Sequence, residues 1–257
     1  MEYQFIRIQK KGTICRVTLN RPEKQNALHA VLIDELSSVF KHLAKDESVR
    51  FVVLDGEGKS FCSGADLDWF SGSTQNSEKV NKVQFELLAK MLRRLHNLPQ
   101  VTIALGKGNI FGGGIGLASA CDFVLMEESA VLAFSEVHLG LVPATILPFV
   151  AVRIKQSDAR KLMLTGKYFD GKQAWEIGLA DFLFSEGDLE KGLNDLISDL
   201  QKPVIEAVHD CKKLINEVYS GEIGVDDWEL TAKVLVKRIA SAEARERIDT
   251  FLKKVKK

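Results

Sequence analysis

No apolar stretch of the 257-residue chain approaches the ~18–20 residues that a helix needs to span a bilayer. The longest, Leu139 to Val152, is broken by Pro143 and Pro148 and suits a buried loop or a short helix. Net charge is missing as well: Lys and Arg total 35, and so do Asp and Glu. A balanced chain has no global field to draw in nucleic acid or an anionic membrane, although the closing FLKKVKK is a local basic patch. Cysteine is scarce. Cys15, Cys62, Cys121 and Cys211 stand apart, with no CxxC and no Cys/His pair at zinc spacing, which points to a reducing compartment and no metal site. The opening MEYQFIRIQKKG alternates like a strand and lacks the apolar block of a signal peptide; the expected location is the cytoplasm. What is present, 46% hydrophobic and 27% charged residues, supplies a sizeable core for one α/β domain with a small helical appendage.

Hydrophobic periodicity orders the elements. Tyr3–Gln9 and Ile14–Leu19 alternate as a hairpin about Gly12. Val31, Leu32, Leu36, Val39, Phe40 and Leu43 recur at helical spacing, and 50–54 is a buried strand ending at Asp55-Gly56. A helix through Val80, Val83, Leu87, Met91 and Leu95 closes before Pro99; Val101–Leu105 is again a strand, followed by a glycine-rich turn and a short helix. Phe123–Met126 and Val131–Phe134 are brief strands. Beyond about residue 144 the pattern is helical over 157–165, 171–177, 187–200, 203–218, 225–240 and 242–255, with one strand-like piece at 180–184. The expected division is a core over 1–195 and a helical region over 196–257.

Two segments carry chemistry. Phe111-Gly112-Gly113-Gly114-Ile115-Gly116 follows a strand and opens a helix, where first-turn amides lack internal partners and the dipole adds positive potential. Such a turn can hold a developing negative charge; a tight turn with close helix packing is the alternative. A dinucleotide loop fits poorly, because Ser119 sits where the third glycine of G-x-G-x-x-G belongs. The small-residue loop Phe61-Cys62-Ser63-Gly64-Ala65-Asp66-Leu67-Asp68 follows another strand. It can aim a second amide at the same oxygen, giving an oxyanion hole.

R-P-E-K-x-N-A-L at 21–28, F-C-S-G-A-D-L at 61–67, G-G-G-x-G-L-A at 112–118 with Cys121-Asp122, and S-E-V-x-L-G-L-V-P at 135–143 together resemble the crotonase (enoyl-CoA hydratase/isomerase) superfamily. The resemblance implies an α/β fold, a spiral of β-β-α units with a C-terminal helical trimerisation region, in trimers or dimers of trimers. It implies an acyl-CoA thioester as substrate, coenzyme A entering only as part of it, with no further cofactor. By position it assigns the thioester oxygen to the amides of Ala65 and Gly113. The CoA portion falls to Lys24, Ser63, Asp66 and Leu67, with Phe251 and Lys254 near the C-terminus reaching the same cofactor.

The chain departs from the family at the acid/base pair. Hydratases carry one glutamate just after the glycine turn, where this chain has Gly116, and a second that is present as Glu136. A carboxyl in an apolar loop beside a forming enolate suits general acid/base work. One carboxylate can support hydration of a 2-enoyl-CoA, if other groups hold the water, or double-bond isomerisation by carrying a proton between carbons. The segments 64–69 and 135–146 look most like methylglutaconyl-CoA hydratase-like members, although Ala144–Pro148 replaces the usual glycine-rich stretch. On an extended stretch His138 faces the same side as Glu136 and tunes it or meets a substrate carboxylate; an ordinary loop histidine is the alternative. Trp69 lines an acyl pocket or simply packs. A catalytically lapsed member binding acyl-CoA, or RNA through the basic C-terminal helix, is the reading from a different class.

Overall fold

Gly12, at φ +58°, turns the chain between β1 (Ile6–Lys11) and β2 (Ile14–Leu19), which pair antiparallel with Lys11 opposite Ile14. In the computed structural model, which describes residues 3–255, β1 begins three residues later than its alternation predicts. The amides of Gln4 and Phe5 donate to the Glu35 carboxylate at 2.6 and 2.9 Å, so this piece of chain is tied to a helix instead of the sheet. That helix, α1 (Ala30–Leu43), buries Leu32, Ile33, Leu36, Val39, Phe40 and Leu43 on one face.

The strands β3 (Phe51–Gly56) and β4 (Val101–Gly106) are almost continuously apolar and buried, as parallel strands covered on both faces must be. Between them run α2 (Leu67–Ser73), capped by Asp66, and α3 (Glu78–His96), capped by Ser77. After β4 the chain repeats a strand–strand–helix unit: β5 (Asn109–Phe111) and α4 (Gly113–Ser119), then β6 (Phe123–Glu127), β7 (Val131–Ala133) and α5 (Leu147–Ala151). α6 (Gln156–Thr165), β8 (Phe169–Asp170), α7 (Gly171–Glu176), β9 (Phe182–Phe184) and α8 (Leu189–Leu200) follow. The strands sort into a six-stranded sheet, ordered β1-β2-β3-β4-β6-β9 and parallel after β1, and a three-stranded sheet, β5-β7-β8. The chain thus winds as a spiral of β-β-α units.

The stretch 139–152, expected as a buried loop or a short helix, is part helix and only partly buried. α5 forms within it with Pro148 in its first turn, but Leu139 and Val142 are 65% and 72% exposed. Among the described residues no helix is long and apolar enough to cross a membrane.

Contacts divide the chain into two compact units at Ile197–Ser198. The second consists of helices, with α9 (Ile205–Tyr219), α10 (Trp228–Ile239) and α11 (Ala242–Val255). Within it Arg238 Nε and Asp210 Oδ2 pair at 2.7 Å.

Candidate active site

Three segments run on in the same direction from one row of the smaller sheet: two leave its parallel strands β5 and β7, and the third joins β5 through an isolated bridge. Cys62 bridges Ile110 of β5 in parallel, and Ile110 stands opposite Leu132 of β7. Counting forward from that row, three residues reach Ala65 on the first segment and Gly113 on the second, and four reach Glu136 on the third. All three line one cavity of about 1040 Å³.

The Ala65 amide is aimed by its neighbours. Leu28 donates to the Gly64 carbonyl at 2.7 Å, and Asp66 donates to the Leu28 carbonyl at 2.8 Å. In an extended strand the intervening N–H points the opposite way, and Ala65 N–H has no acceptor among the described residues. Gly113 is the first residue of α4, whose cap Gly112 offers no side chain; its amide is one of the donors a helix start leaves unpaired. Adjacent strands lie about 4.8 Å apart, while one oxygen can take hydrogen bonds at about 2.9 Å from nitrogens up to roughly 5.8 Å apart. Gly112, at φ +42°, leaves the space that Glu136 uses: a Cβ there would stand 2.6 Å from Glu136 Oε1.

Leu28 reaches Ala65 because of the preceding turn. Gln25 and Asn26 both adopt left-handed backbone, at φ +50° and +57°. The fully buried Asn26 side chain holds them there, donating to Glu57 O and Ser60 O and accepting from Arg21 N.

Glu136 sits in a 3-10 turn, Ser135–Leu139. Its Oε2 is buried with no hydrogen-bond partner among the described residues. Burial pushes the carboxyl above the ordinary glutamate range, and a hydrogen bond from its own backbone amide offsets this only in part. This is a desolvated carboxylate beside a glycine turn at a helix start, chemistry of the kind that moves a proton next to an oxyanion.

Gly116 lies within α4 against Ile146. A Cβ at 116 would stand 2.3 Å from Ile146 Cγ2 and 2.9 Å from its Cβ, with Leu92 Cδ1 at 3.6 Å. Both residues are buried, and Ile146 lines the cavity. The place of a first glutamate is filled with hydrocarbon from the segment that replaces the glycine-rich stretch.

The remaining residues assigned by position divide. Lys24 Nζ pairs with Asp68 Oδ2 at 3.1 Å on the cavity rim, both side chains exposed. Ser63 and Leu67 line the same cavity. Asp66 lines it too but is 5% exposed, and its carboxylate is occupied: Oδ2 meets Arg21 Nη1 at 2.5 Å, and Oδ1 accepts from the Asp68 and Trp69 amides. Burial works against that carboxylate, yet these partners outweigh it and hold the group below its usual range. Phe251 is exposed on α11 of the second unit, and the Lys254 side chain lies outside the described residues.

His138 does not share a side with Glu136. In a 3-10 turn, residues two apart diverge; His138 Nε2 instead meets Gly166 O at 3.2 Å. Trp69 lines the cavity and packs on Phe85 at 6.0 Å between ring centroids. Burial pushes the Cys62 thiol up to about 12, so this residue packs and does not react. Sequence reasoning missed Arg21, the counter-ion of Asp66, and Tyr168, which lines the cavity. The R-P-E-K motif was the available signal for Arg21; nothing local marks Tyr168.

Residues 9–257 match the protein family described as enoyl-CoA hydratase/isomerase. The enoyl-CoA hydratase ACTT6 of Alternaria alternata is 34% identical over 80% of this chain and 67% of its own length. Among solved structures, an enoyl-CoA hydratase from Shewanella pealeana superposes with a TM-score of 0.93 at 29% identity, covering 98% of this chain and 95% of that one. Pseudomonas aeruginosa AtuE does so with a TM-score of 0.92 at 31% identity, covering 98% and 97%. Matched by the family model over residues 9–257 and by a relative of 34% identity, the protein belongs to the enoyl-CoA hydratase/isomerase (crotonase) family, enzymes of acyl-CoA thioesters.

Proposed function

We propose that the protein is an enoyl-CoA hydratase that reversibly adds water to a short or branched 2-enoyl-CoA, of which 3-methylglutaconyl-CoA is one example, with Glu136 as its single acid/base. The observation that carries this is the Glu136 carboxyl, sealed from water at Oε2 and lying beside the Gly112 turn. Glu136 takes a proton from water as the water oxygen bonds C3. The electron pair of the C2–C3 double bond shifts to C1–C2 and the carbonyl pair moves onto the thioester oxygen, which accepts from the Ala65 and Gly113 amides. Return of the proton from Glu136 to C2 restores the thioester and the carboxylate. Each oxyanion donor is worth about 3–4 kcal/mol in systems where one has been removed. Lys24, Ser63 and Leu67 take the CoA portion at the rim; Asp66 contributes its backbone there, since its carboxylate is engaged with Arg21. The family resemblance alone brings Phe251 and Lys254 to the CoA portion, often from a neighbouring subunit.

One observation favours a second reading. The hydrocarbon contact of Ile146 with Gly116 leaves no polar group where a two-glutamate hydratase holds its water. Isomerisation of a 3-enoyl-CoA needs no water: Glu136 removes a proton from C2 and returns it at C4 as the double bond moves. Mass spectrometry of 2-enoyl, 3-enoyl and 3-methylglutaconyl thioesters, incubated with enzyme in heavy water, separates the two. Gain of one water by a 2-enoyl substrate supports the hydratase; a shifted double bond without added water supports the isomerase. Glu136→Gln should lower either rate by roughly 10²–10⁴-fold, and full turnover in that variant would remove Glu136 from the chemistry.

The helical unit, with Trp228, Leu235, Val236 and Phe251 exposed, is assigned the role of joining subunits into a trimer or a dimer of trimers in the cytoplasm. Light scattering of the full chain tests the assembly.

A further inference from the structure

The 3-10 turn that carries Glu136 has no side-chain cap at its start. Its backbone bonds are local, from Gly140 N to Val137 O at 3.2 Å and from Leu141 N to Glu136 O at 3.0 Å. Among the described residues, one side-chain hydrogen bond ties this turn to another element: His138 Nε2 to Gly166 O at 3.2 Å. Gly166 ends α6 in left-handed backbone, φ +61°, and a Cβ there would stand 2.4 Å from His138 Nε2 and 2.7 Å from Cδ2. Glycine at 166 therefore serves both the turn and the seat of the ring. The carbonyl is an acceptor, so Nε2 donates; the Nε2–H tautomer and the imidazolium both do so, and the negative end of α6 favours either donor.

Two residues further on, Tyr168 lines the cavity and stands edge-on to Phe111, 5.6 Å between ring centroids. Phe111 immediately precedes the Gly112–Gly113 turn. The short stretch 166–168 thus touches the Glu136 turn at one end and the oxyanion turn at the other.

We propose that His138 is a positioning residue: through Gly166 it fixes the Glu136 carboxyl relative to the amides of Ala65 and Gly113. This rests on the reading of Glu136 as the proton carrier. The ring touches no substrate; it sets the distance over which the proton moves, a quantity to which rate is steep, with ~1 Å of misplacement costing up to about 10²-fold.

The test compares H138L, H138Q, G166A and E136Q in the full chain, using the thioester that the wild type turns over. It reads kcat, KM, the affinity for unreactive butanoyl-CoA and the thermal midpoint. H138L should lose about 10-fold in kcat while KM and butanoyl-CoA affinity stay within about 2-fold, the split expected when orientation is lost and binding kept. Gln places its amide nitrogen as many bonds from Cα as His places Nε2, so H138Q should recover most of the loss. G166A, which displaces the ring without altering it, should resemble H138L. The proposal is overturned if H138Q falls as far as H138L, or if H138L keeps wild-type kcat while E136Q is inactive. Full activity in E136Q would instead overturn the reading of Glu136.

Discussion

Replacing Gly116 by alanine adds one methyl group where the structure has no room for it. The new Cβ stands 2.3 Å from Ile146 Cγ2 and 2.9 Å from Ile146 Cβ, against the 3.5–4.0 Å at which carbon atoms attract. Ile146 cannot step back freely. It is 2% exposed, its carbonyl accepts from the Phe149 and Val150 amides, and Pro148 lies two residues on. Overpacking of this kind costs about 1–3 kcal/mol, and a contact this short with the backbone-proximal Cβ belongs at the upper end. Within α4, Gly→Ala returns about 1 kcal/mol of helix propensity. The net is a loss of about 1–2 kcal/mol, or a midpoint lowered by roughly 2–8 °C in a domain of this size. Ile146→Ala alone costs about 2–5 kcal/mol through the cavity it leaves. In that background G116A should be roughly neutral: the Cγ2 clash is gone and the propensity gain remains, while the 2.9 Å approach to the Cβ at 146 stays. Urea unfolding of the four proteins measures the coupling, expected at about 1–2 kcal/mol. A G116A protein as stable as the wild type with Ile146 intact would refute the packing on which the single-carboxylate site rests.

The raised pKa of Glu136 makes stability fall with pH, because the folded protein holds that proton more tightly than the unfolded chain. E136Q should therefore be more stable than wild type at pH 7. The advantage should shrink as pH drops from the raised value toward the ordinary 4.5 and be absent below it; an advantage independent of pH would contradict a desolvated carboxylate. Gly112→Ala puts a Cβ 2.6 Å from Glu136 Oε1 at φ +42°, and should cut kcat by about 10²-fold through displacement of the carboxyl; unchanged steady-state rates would show that Glu136 does not use this approach. Asp66→Ala strands Arg21, whose side chain is 13% exposed, and removes the cap of α2, so unfolding should ease by about 3–5 kcal/mol. Wild-type stability with lost CoA-ester affinity would make Asp66 a ligand group instead.

Most of the fold was legible because its elements are set by short-range pattern. The apolar runs at 51–54 and 101–105 can only be covered strands; the helix read through Val80, Val83, Leu87, Met91 and Leu95 is α3, but its buried face is Leu88, Met91, Leu92 and Leu95, and Val80, Val83 and Leu87 are exposed. The start of β1 was not legible, since the Glu35 carboxylate that captures the Gln4 and Phe5 amides lies thirty residues away. The site was legible as segments, through the four motifs, but not as geometry. That Cys62, Ile110 and Leu132 stand in one row is a fact of sheet pairing, and it is this row that brings Ala65, Gly113 and Glu136 to one cavity. His138 shows the limit most clearly: extended and 3-10 backbone place it on different sides of the turn, and five residues of sequence do not distinguish them.

The pairing of Gly116 with Ile146 also changes what sets the proton affinity of Glu136. In a site with two carboxylates, mutual repulsion raises the pKa of one of them, and either can shield the other from the hydrocarbon around it. Here desolvation is the largest influence on Glu136, with Oε2 sealed and unpaired. Its basicity therefore depends on the wall staying dry, and the residues that keep it dry are part of the chemistry even where they carry no polar atom. Ile146 lines the same cavity, and the expectation is that it belongs to this wall. Trimming it should lower the pKa of Glu136 toward the ordinary carboxylate value by admitting water, and with it the pH at which the acid limb of kcat/KM turns down. The sign distinguishes this from a loss of packing alone, which would lower the rate without moving the limb; a limb that stays in place in I146A would show that burial by this wall is not what raises the Glu136 pKa.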